Sequence, residues 1–235
     1  MPHHRFARPI RTLFTFALLG AAPLITAPAV AQTASPLSAV TGNAVLGALR
    51  GQLTRAAPAA GTGMTLALSA FKPSAGRLLP ARLTAGMTSM SPAQQREARS
   101  LYEQLLQGYD TLLDQNREGR LKNNVAGALM YALTVSHLVL SGETLSGAQQ
   151  EALLGSVNAA LGRTTPFKTL PDARRQELYE ALILTANFAL ALREGAGEHP
   201  AYDAEAKAIA AGLFRQVLGR DPDQTEFTDA GLKFR

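Results

Sequence analysis

The sequence predicts an all-α fold, a compact bundle of about five helices with two buried central ones, and three observations carry that prediction. The stretch at residues 123–140, NNVAGALMYALTVSHLVL, is helical in composition and apolar on nearly every side, so it must lie in the middle of the structure. A second stretch at 178–192, LYEALILTANFALAL, has the same character and needs the same shelter. Ala and Leu dominate a hydrophobic fraction of 46%, while Trp is absent and Phe and Tyr number nine and five, so aliphatic side chains on helices fill the core. At 235 residues the chain is long enough for one such core and short for two.

Residues 1–31 read as a secretory signal peptide. Arg5, Arg8 and Arg11 form the positive region, residues 13–25 the apolar region, and Ala29-Val30-Ala31 the small-residue cleavage site, with cleavage expected before Gln32. The apolar region is interrupted by Pro23 and falls short of the ~20 residues a spanning helix needs, so no transmembrane span is expected once the signal is cleaved. The chain has no Cys, which excludes disulfides, thiolate metal sites, a cysteine nucleophile and a lipid-anchoring cysteine together.

From residue 32 to about 96 the composition shifts to Ala, Gly, Pro, Ser and Thr, with no acid and with Arg50, Arg55, Lys72, Arg77, Arg82 and Arg96 as its charges. The eighteen Asp and Glu all lie beyond it, so a basic arm precedes a mildly acidic body. Loss of Arg5, Arg8 and Arg11 with the signal takes the formal charge from +5 to +2, too little to argue for nucleic acid as a partner. The domain organisation expected is therefore a signal peptide at 1–31, a flexible basic arm at 32–70 and a helical domain at 71–235. Within the arm, residues 40–53 have the composition of a short helix weakened by Gly42, Gly47 and Gly51, and disorder is the competing reading. Met64, Leu66 and Leu68 alternate with Thr65 and Ala67 as in a strand, and 64–73 reads as an extended strap on the body. Phe71, Leu78 and Leu79 supply apolar contacts, so 71–82 is expected to be ordered against the helices and 32–60 not.

The helices follow from their start and stop signals. Ser91-Pro92-Ala93-Gln94 combines an N-cap, a first-turn proline and a capping-box Gln, opening a helix to about 116 whose apolar residues Leu101, Tyr102, Leu105, Tyr109, Leu112 and Leu113 form one stripe. The central helix runs from 124 to 140, stopped by Gly142. Ser146-Gly147-Ala148-Gln149 repeats the capping pattern and starts a helix that Gly162 ends. Pro171 opens a helix to about 194, and a last one spans about 201–218 before Gly219, with an extended tail from Asp221 and a short extended piece near Phe227.

The Asn123-Asn124-Val125-Ala126 helix start, the Arg175-Gln176-Glu177-Leu178-Tyr179-Glu180 segment, and the Asp221-Pro222 turn before Gly231-Leu232 resemble a family of secreted bacterial helical domains of unknown function, over roughly 71–235. The resemblance implies the helical fold and export, and brings no catalytic residue, cofactor or substrate with it.

The chemistry-bearing motifs are few. No GxSxG, HExxH, P-loop or GxGxxG is present, and beyond the signal the histidines are His137 and His199, so no catalytic residue or cofactor is assigned. Asp221-Pro222-Asp223-Gln224-Thr225 begins like a calcium loop but has Glu226 where Gly is required, and reads as a turn. Glu198, His199 and Asp203 are explained by a solvated linker without a metal.

Each central helix carries one narrow polar or small stripe: Asn123, Gly127, Thr134, His137 and Ser141 on the first, Gln176, Glu180, Asn187 and Glu194 on the second. The stripes either edge the helices toward solvent or face each other. An antiparallel pairing brings His137 to Glu180, and a parallel one sets Asn124 beside Glu180. The candidate binding residues are thus Asn124, Thr134, His137, Glu180 and Asn187, with Lys72, Arg77 and Arg82 from the arm. The function expected is an exported binding or interaction module at the bacterial cell envelope, meeting envelope proteins or anionic polymers. The alternative is a hydrolase with Glu180 as general acid/base and His137 assisting.

Overall fold

The computed structural model describes residues 36–37, 43–54 and 65–235; the export signal expected over 1–31, and Met64 of the expected strap, lie outside the described residues. Eight α-helices are found among them: α1 (Asn43–Leu53), α2 (Leu79–Ala85), α3 (Pro92–Gln115), α4 (Val125–Ser141), α5 (Gly147–Arg163), α6 (Thr165–Lys168), α7 (Asp172–Gly195) and α8 (Ala201–Leu218). An antiparallel hairpin of β1 (Thr225–Thr228) and β2 (Gly231–Phe234) ends the chain, pairing Thr225 with Phe234 and Phe227 with Leu232.

The caps set the helix boundaries. Ser91 and Ser146 each accept from the backbone N–H three residues on, and Gln94 and Gln149 return the bond to the cap residue. Asn124 caps α4 by accepting from the Gly127 N–H, and Gly142 closes it in the left-handed conformation, φ 79°.

The core is a triangle of α4, α7 and α8, with α5 against α4 and α3 against α7. From Val125 to Ser136 every residue of α4 is buried, as its all-round apolar character demands. Helices α4 and α7 run parallel, because Tyr131 meets Asn187 and, further along both, Val139 meets Arg193. The chain returns between them through α5 and α6. Gly127 lets Leu121 close over the start of α4, where an added Cβ would stand 3.0 Å from the Leu121 Cβ.

The flexible arm expected over 32–70 is corrected in part. Residues 43–53 form α1, whose Val45, Leu46, Leu49 and Leu53 are buried in the common core against α8, α5 and α6. Burial of that stripe outweighs the helix cost of Gly47 and Gly51. Arg50 fixes its outer side by donating through Nε (2.9 Å) and Nη2 (2.6 Å) to the Gln216 carbonyl near the end of α8. The alternation at 66–68 is likewise not a strand. Leu66–Leu68 is a 3₁₀ turn whose Thr65 side chain accepts from the Ala67 N–H, and the extended contact is a single antiparallel bridge between Ala70 and Asn124.

Because Leu49 is 1% exposed, truncation should open a cavity rather than relieve an exposed surface. Leu49→Ala is expected to lower unfolding free energy by about 2–5 kcal/mol in urea melts. A loss below about 0.5 kcal/mol would show that α1 is not part of the cooperative fold.

Candidate functional site

The first turns of α7 hold a strap, residues 68–82, against the bundle. Positions 175, 176, 179 and 180 lie on one face at helical spacing, and each side chain reaches a different part of the strap. Arg175 donates to the Ala70 carbonyl (3.0 Å) and to the Phe167, Lys168 and Leu170 carbonyls, with its guanidinium 4.6 Å above the Phe167 ring. Gln176 accepts from the Ser74 N–H (2.8 Å) and donates to the Gly76 carbonyl (2.8 Å) and to Glu180 Oε1 (2.8 Å). Tyr179 packs edge-on to Phe71, ring centroids 5.3 Å apart. Glu180 is fully buried, and its Oε2 accepts from the N–H groups of Leu78 (3.0 Å) and Leu79 (2.7 Å).

A second latch holds the start of the strap. The Phe71 N–H donates to the Asn123 carbonyl (3.0 Å) and the Val125 N–H to the Ser69 carbonyl (2.9 Å). The Ser69 hydroxyl donates to Asn158 Oδ1 (2.6 Å), while Asn124 Nδ2 reaches the Leu66 carbonyl (2.9 Å). Asn123 bends the chain into this position with φ 54°, a left-handed conformation that Asn adopts more readily than most residues.

Between strap, α3 and the start of α4 lies a cleft of about 260 Å³, with Ser74, Arg77, Asp110, Lys122, Asn123 and Gln176 as its polar lining. Phe71, Pro73 and Gly76 complete it. Arg77 pairs with Asp110, and Lys122 with Asp114 at 2.6 Å. The Tyr179 hydroxyl is buried with the Asn123 backbone amide beside it. Burial pushes the phenol well above its usual range, the Asp110 charge adds to that, and Arg77 opposes it.

The residues singled out from sequence divide between this site and the core. Arg77 lines the cleft, Lys72 is exposed between cleft residues Phe71 and Pro73, and Arg82 pairs with Glu177 at 3.0 Å. Asn124 and Glu180 hold the strap. Asn187 accepts from the Tyr131 hydroxyl (2.5 Å) and donates to the Leu105 carbonyl (2.9 Å), joining α3, α4 and α7 inside the core. Thr134 is buried with its hydroxyl 3.7 Å from Met130 Sδ. His137 is half-buried, stacked 5.2 Å from Phe227 of β1, and burial lowers its pKa while Glu143 opposes the shift.

Neither reading of the polar stripes describes them. They are mostly buried, yet they meet the strap, the hairpin and α3 instead of each other. With α4 and α7 parallel, Tyr179 lies by Asn123, and His137 stands further along α4 by about 20 Å. The His137–Glu180 pairing that the hydrolase alternative requires is therefore not formed. Of the cleft residues, Gln176 stood within the segment that carries the family resemblance, whereas Asp110 gave no signal because an acid on the polar face of an amphipathic helix has no distinguishing pattern.

Burial raises the Glu180 carboxyl above its ordinary range, opposed by the Leu79 amide, the Gln176 amide, the Arg77 charge and the Leu78 amide. A carboxyl whose folded pKa is raised binds its proton more tightly when folded, so its contribution to stability is greatest below the unfolded value and declines as pH rises through the folded one. Glu180→Ala is expected to cost about 2–4 kcal/mol by leaving the Leu78 and Leu79 amides unpaired. Glu180→Gln should also destabilise, because its amide nitrogen cannot accept from them, and should flatten the decline in stability as pH rises above the ordinary carboxylate range. Chemical melts across pH that give the same slope for wild type and Glu180→Gln would remove Glu180 as its source.

Among the described residues no helix is long and apolar enough to cross a membrane. No curated protein and no solved structure matches the chain. Residues 50–235 match the model of a family described as a family of unknown function (DUF6683). That span takes in the strap, both latches and the cleft, and the chain belongs to this family of unknown function.

Proposed function

We propose that the chain is an exported binding module that acts at the bacterial cell envelope, with the strap-side cleft as its recognition surface. The observation that carries this reading is that the cleft is prearranged: Gln176 is fixed by the strap backbone, Arg77 by Asp110 and Lys122 by Asp114. Side chains already held in one geometry lose little entropy when a ligand arrives. Export is supported by the arginines, apolar stretch and Ala29-Val30-Ala31 site at the N-terminus. The charge of the basic arm is partly used internally, since Arg50, Arg77 and Arg82 all contact the body. Lys72 remains exposed beside the cleft to meet an envelope polymer or protein. The hydrolase alternative loses its support, because its acid and its base are separated.

Two measurements test the proposal. Mass spectrometry of protein recovered from the cell exterior or periplasm should find Gln32 at its start, and retention of residues 1–31 in the cytoplasm would overturn export. The mature chain should co-sediment with isolated cell-wall material, and Gly76→Trp should abolish this at least tenfold without lowering the melting temperature. Gly76 lines the cleft and an added Cβ there meets no atom within 4 Å, so the indole obstructs the cleft without a packing clash at its base. Equal sedimentation of the two proteins would remove the cleft from the interaction.

A further inference from the structure

We propose that the end of the bundle carrying the 65–70 turn is a second contact surface, which seats against an anionic lipid bilayer with Leu68 at its tip. Leu68 is 56% exposed, alone among the large hydrophobic side chains of the described residues. Its position is fixed by the fold. Asn158 Nδ2 donates to the Thr65 carbonyl (3.1 Å), Asn124 Nδ2 to the Leu66 carbonyl (2.9 Å) and Arg175 Nη1 to the Leu68 carbonyl (3.5 Å), while the Thr65 side chain caps the 3₁₀ turn. Leu66 turns inward onto the core and Leu68 outward over Gly162, where an added Cβ would stand 3.1 Å from Leu68 Cδ1. A leucine on a turn anchored at three carbonyls is held out by the structure and is not a frayed loop residue.

The second observation is charge. Segments 65–76 and 158–176 contain Lys72, Arg163, Lys168, Arg174 and Arg175 against one acid, Asp172. The Arg175 guanidinium ties the two segments into one surface, since it bonds the carbonyls of Leu68 and Ala70 in the strap and of Phe167, Lys168 and Leu170 around α6. Arg174 is held by Glu177, whereas Lys72, Arg163 and Lys168 are exposed and their side chains have no ion pair or hydrogen bond among the described residues. A lone leucine on a projecting turn gives too little apolar area for a protein interface, whose centre is large and poor in Lys. A bilayer needs no pocket and no matched partner: an apolar tip enters the headgroup region while Lys and Arg meet lipid phosphates. With one leucine and few cations the contact is reversible and salt-sensitive. Leu68, Arg163 and Lys168 do not line the cleft, so the contact does not depend on what the cleft binds.

The test is co-sedimentation of the chain beginning at Gln32 with vesicles of phosphatidylcholine, alone and with about 30% phosphatidylglycerol. Binding should require the anionic lipid and fall as salt is raised. Arg163→Gln and Lys168→Gln should each weaken it about fivefold, and Leu68→Ser at least about fivefold, with melting temperatures kept because all three side chains are exposed. Lys207→Gln, which removes the same charge from α8, should leave binding unchanged. Because the chain has no Trp, Leu68→Trp supplies a single reporter, whose emission should shift to the blue on anionic vesicles, while that of Ala204→Trp on the exposed side of α8 should not. Absence of binding to anionic vesicles overturns the proposal, as does an equal loss in Lys207→Gln. Unchanged binding in Leu68→Ser with an unshifted Leu68→Trp emission also overturns it, because the surface is then a site for polyanions at large and not for a bilayer. Sedimentation with wall material and its loss in Gly76→Trp report on the cleft, so the two readings fail separately.

Discussion

The Glu180 carboxylate is the constraint on which the strap side of the molecule depends. Helix α2 begins at Leu79 with no side chain of its own capping it, and Pro80 in its first turn has no N–H. The donors left at its start are the Leu78 and Leu79 amides, and a carboxylate from α7 accepts both. Glu180 thus acts as an N-cap supplied across the fold, at the end of α2 where negative charge is favoured. Burying a carboxylate is costly, and four hydrogen bonds from Leu78, Leu79 and Gln176 are what offset that cost. The arrangement is mutual: without the strap Glu180 keeps only the Gln176 amide as a donor, and without Glu180 the Leu78 and Leu79 amides lose their acceptor.

The segment 175–180 then reads as one device. Arg175 takes the strap at Ala70, Gln176 at Ser74 and Gly76, Glu177 at Arg82, Tyr179 at Phe71 and Glu180 at Leu78 and Leu79. The neighbouring Asn123-Asn124 segment holds the same strap from the other side. In the Arg82–Glu177 pair the carboxylate is buried while the guanidinium is half-exposed, and Arg174 shares the same Glu177 oxygen at 2.6 Å. Stability in this region comes from the buried amide contacts, and the cleft is what remains open between two fixed walls.

Much of the fold was legible because helix signals are local. The Ser91 and Ser146 capping boxes, Gly142 and Gly219 placed four helix ends within a residue or so, and the apolar character of 125–140 placed its helix in the core. What was not legible depends on partners distant in sequence. The Leu66/Leu68 alternation fits a 3₁₀ turn as well as a strand until the Thr65 side chain is seen to bond Ala67. In α1, Gly47 and Gly51 weaken the propensity that the Val45, Leu46, Leu49 and Leu53 stripe overrides once α8 is there to bury it. The direction in which α4 and α7 pair is set by the α5 crossover, which no side chain on either helix announces. Of the candidate site, Arg77 was visible as a charge of the basic arm and Glu180 as an acid inside an apolar helix, while Asp110 matched an ordinary amphipathic position.

Tyr179 links the strap to the core behind it. Its ring packs on Phe71 and Tyr109, a role that Phe would fill with the same contacts and without a hydroxyl to desolvate. That hydroxyl is buried beside the backbone amide of Asn123, the residue that bends the chain into the start of α4. Tyr131, one ring further along the same row, satisfies its hydroxyl on Asn187 in the dry core. Tyr109, the ring between the two, buries its hydroxyl with no partner among the described residues, so an unpaired phenol in this row does not by itself mark a cleft. The row Phe71, Tyr179, Tyr109 and Tyr131 therefore runs from the strap into the core, so the strap that walls the cleft is held by the same packing that holds α3, α4 and α7 together.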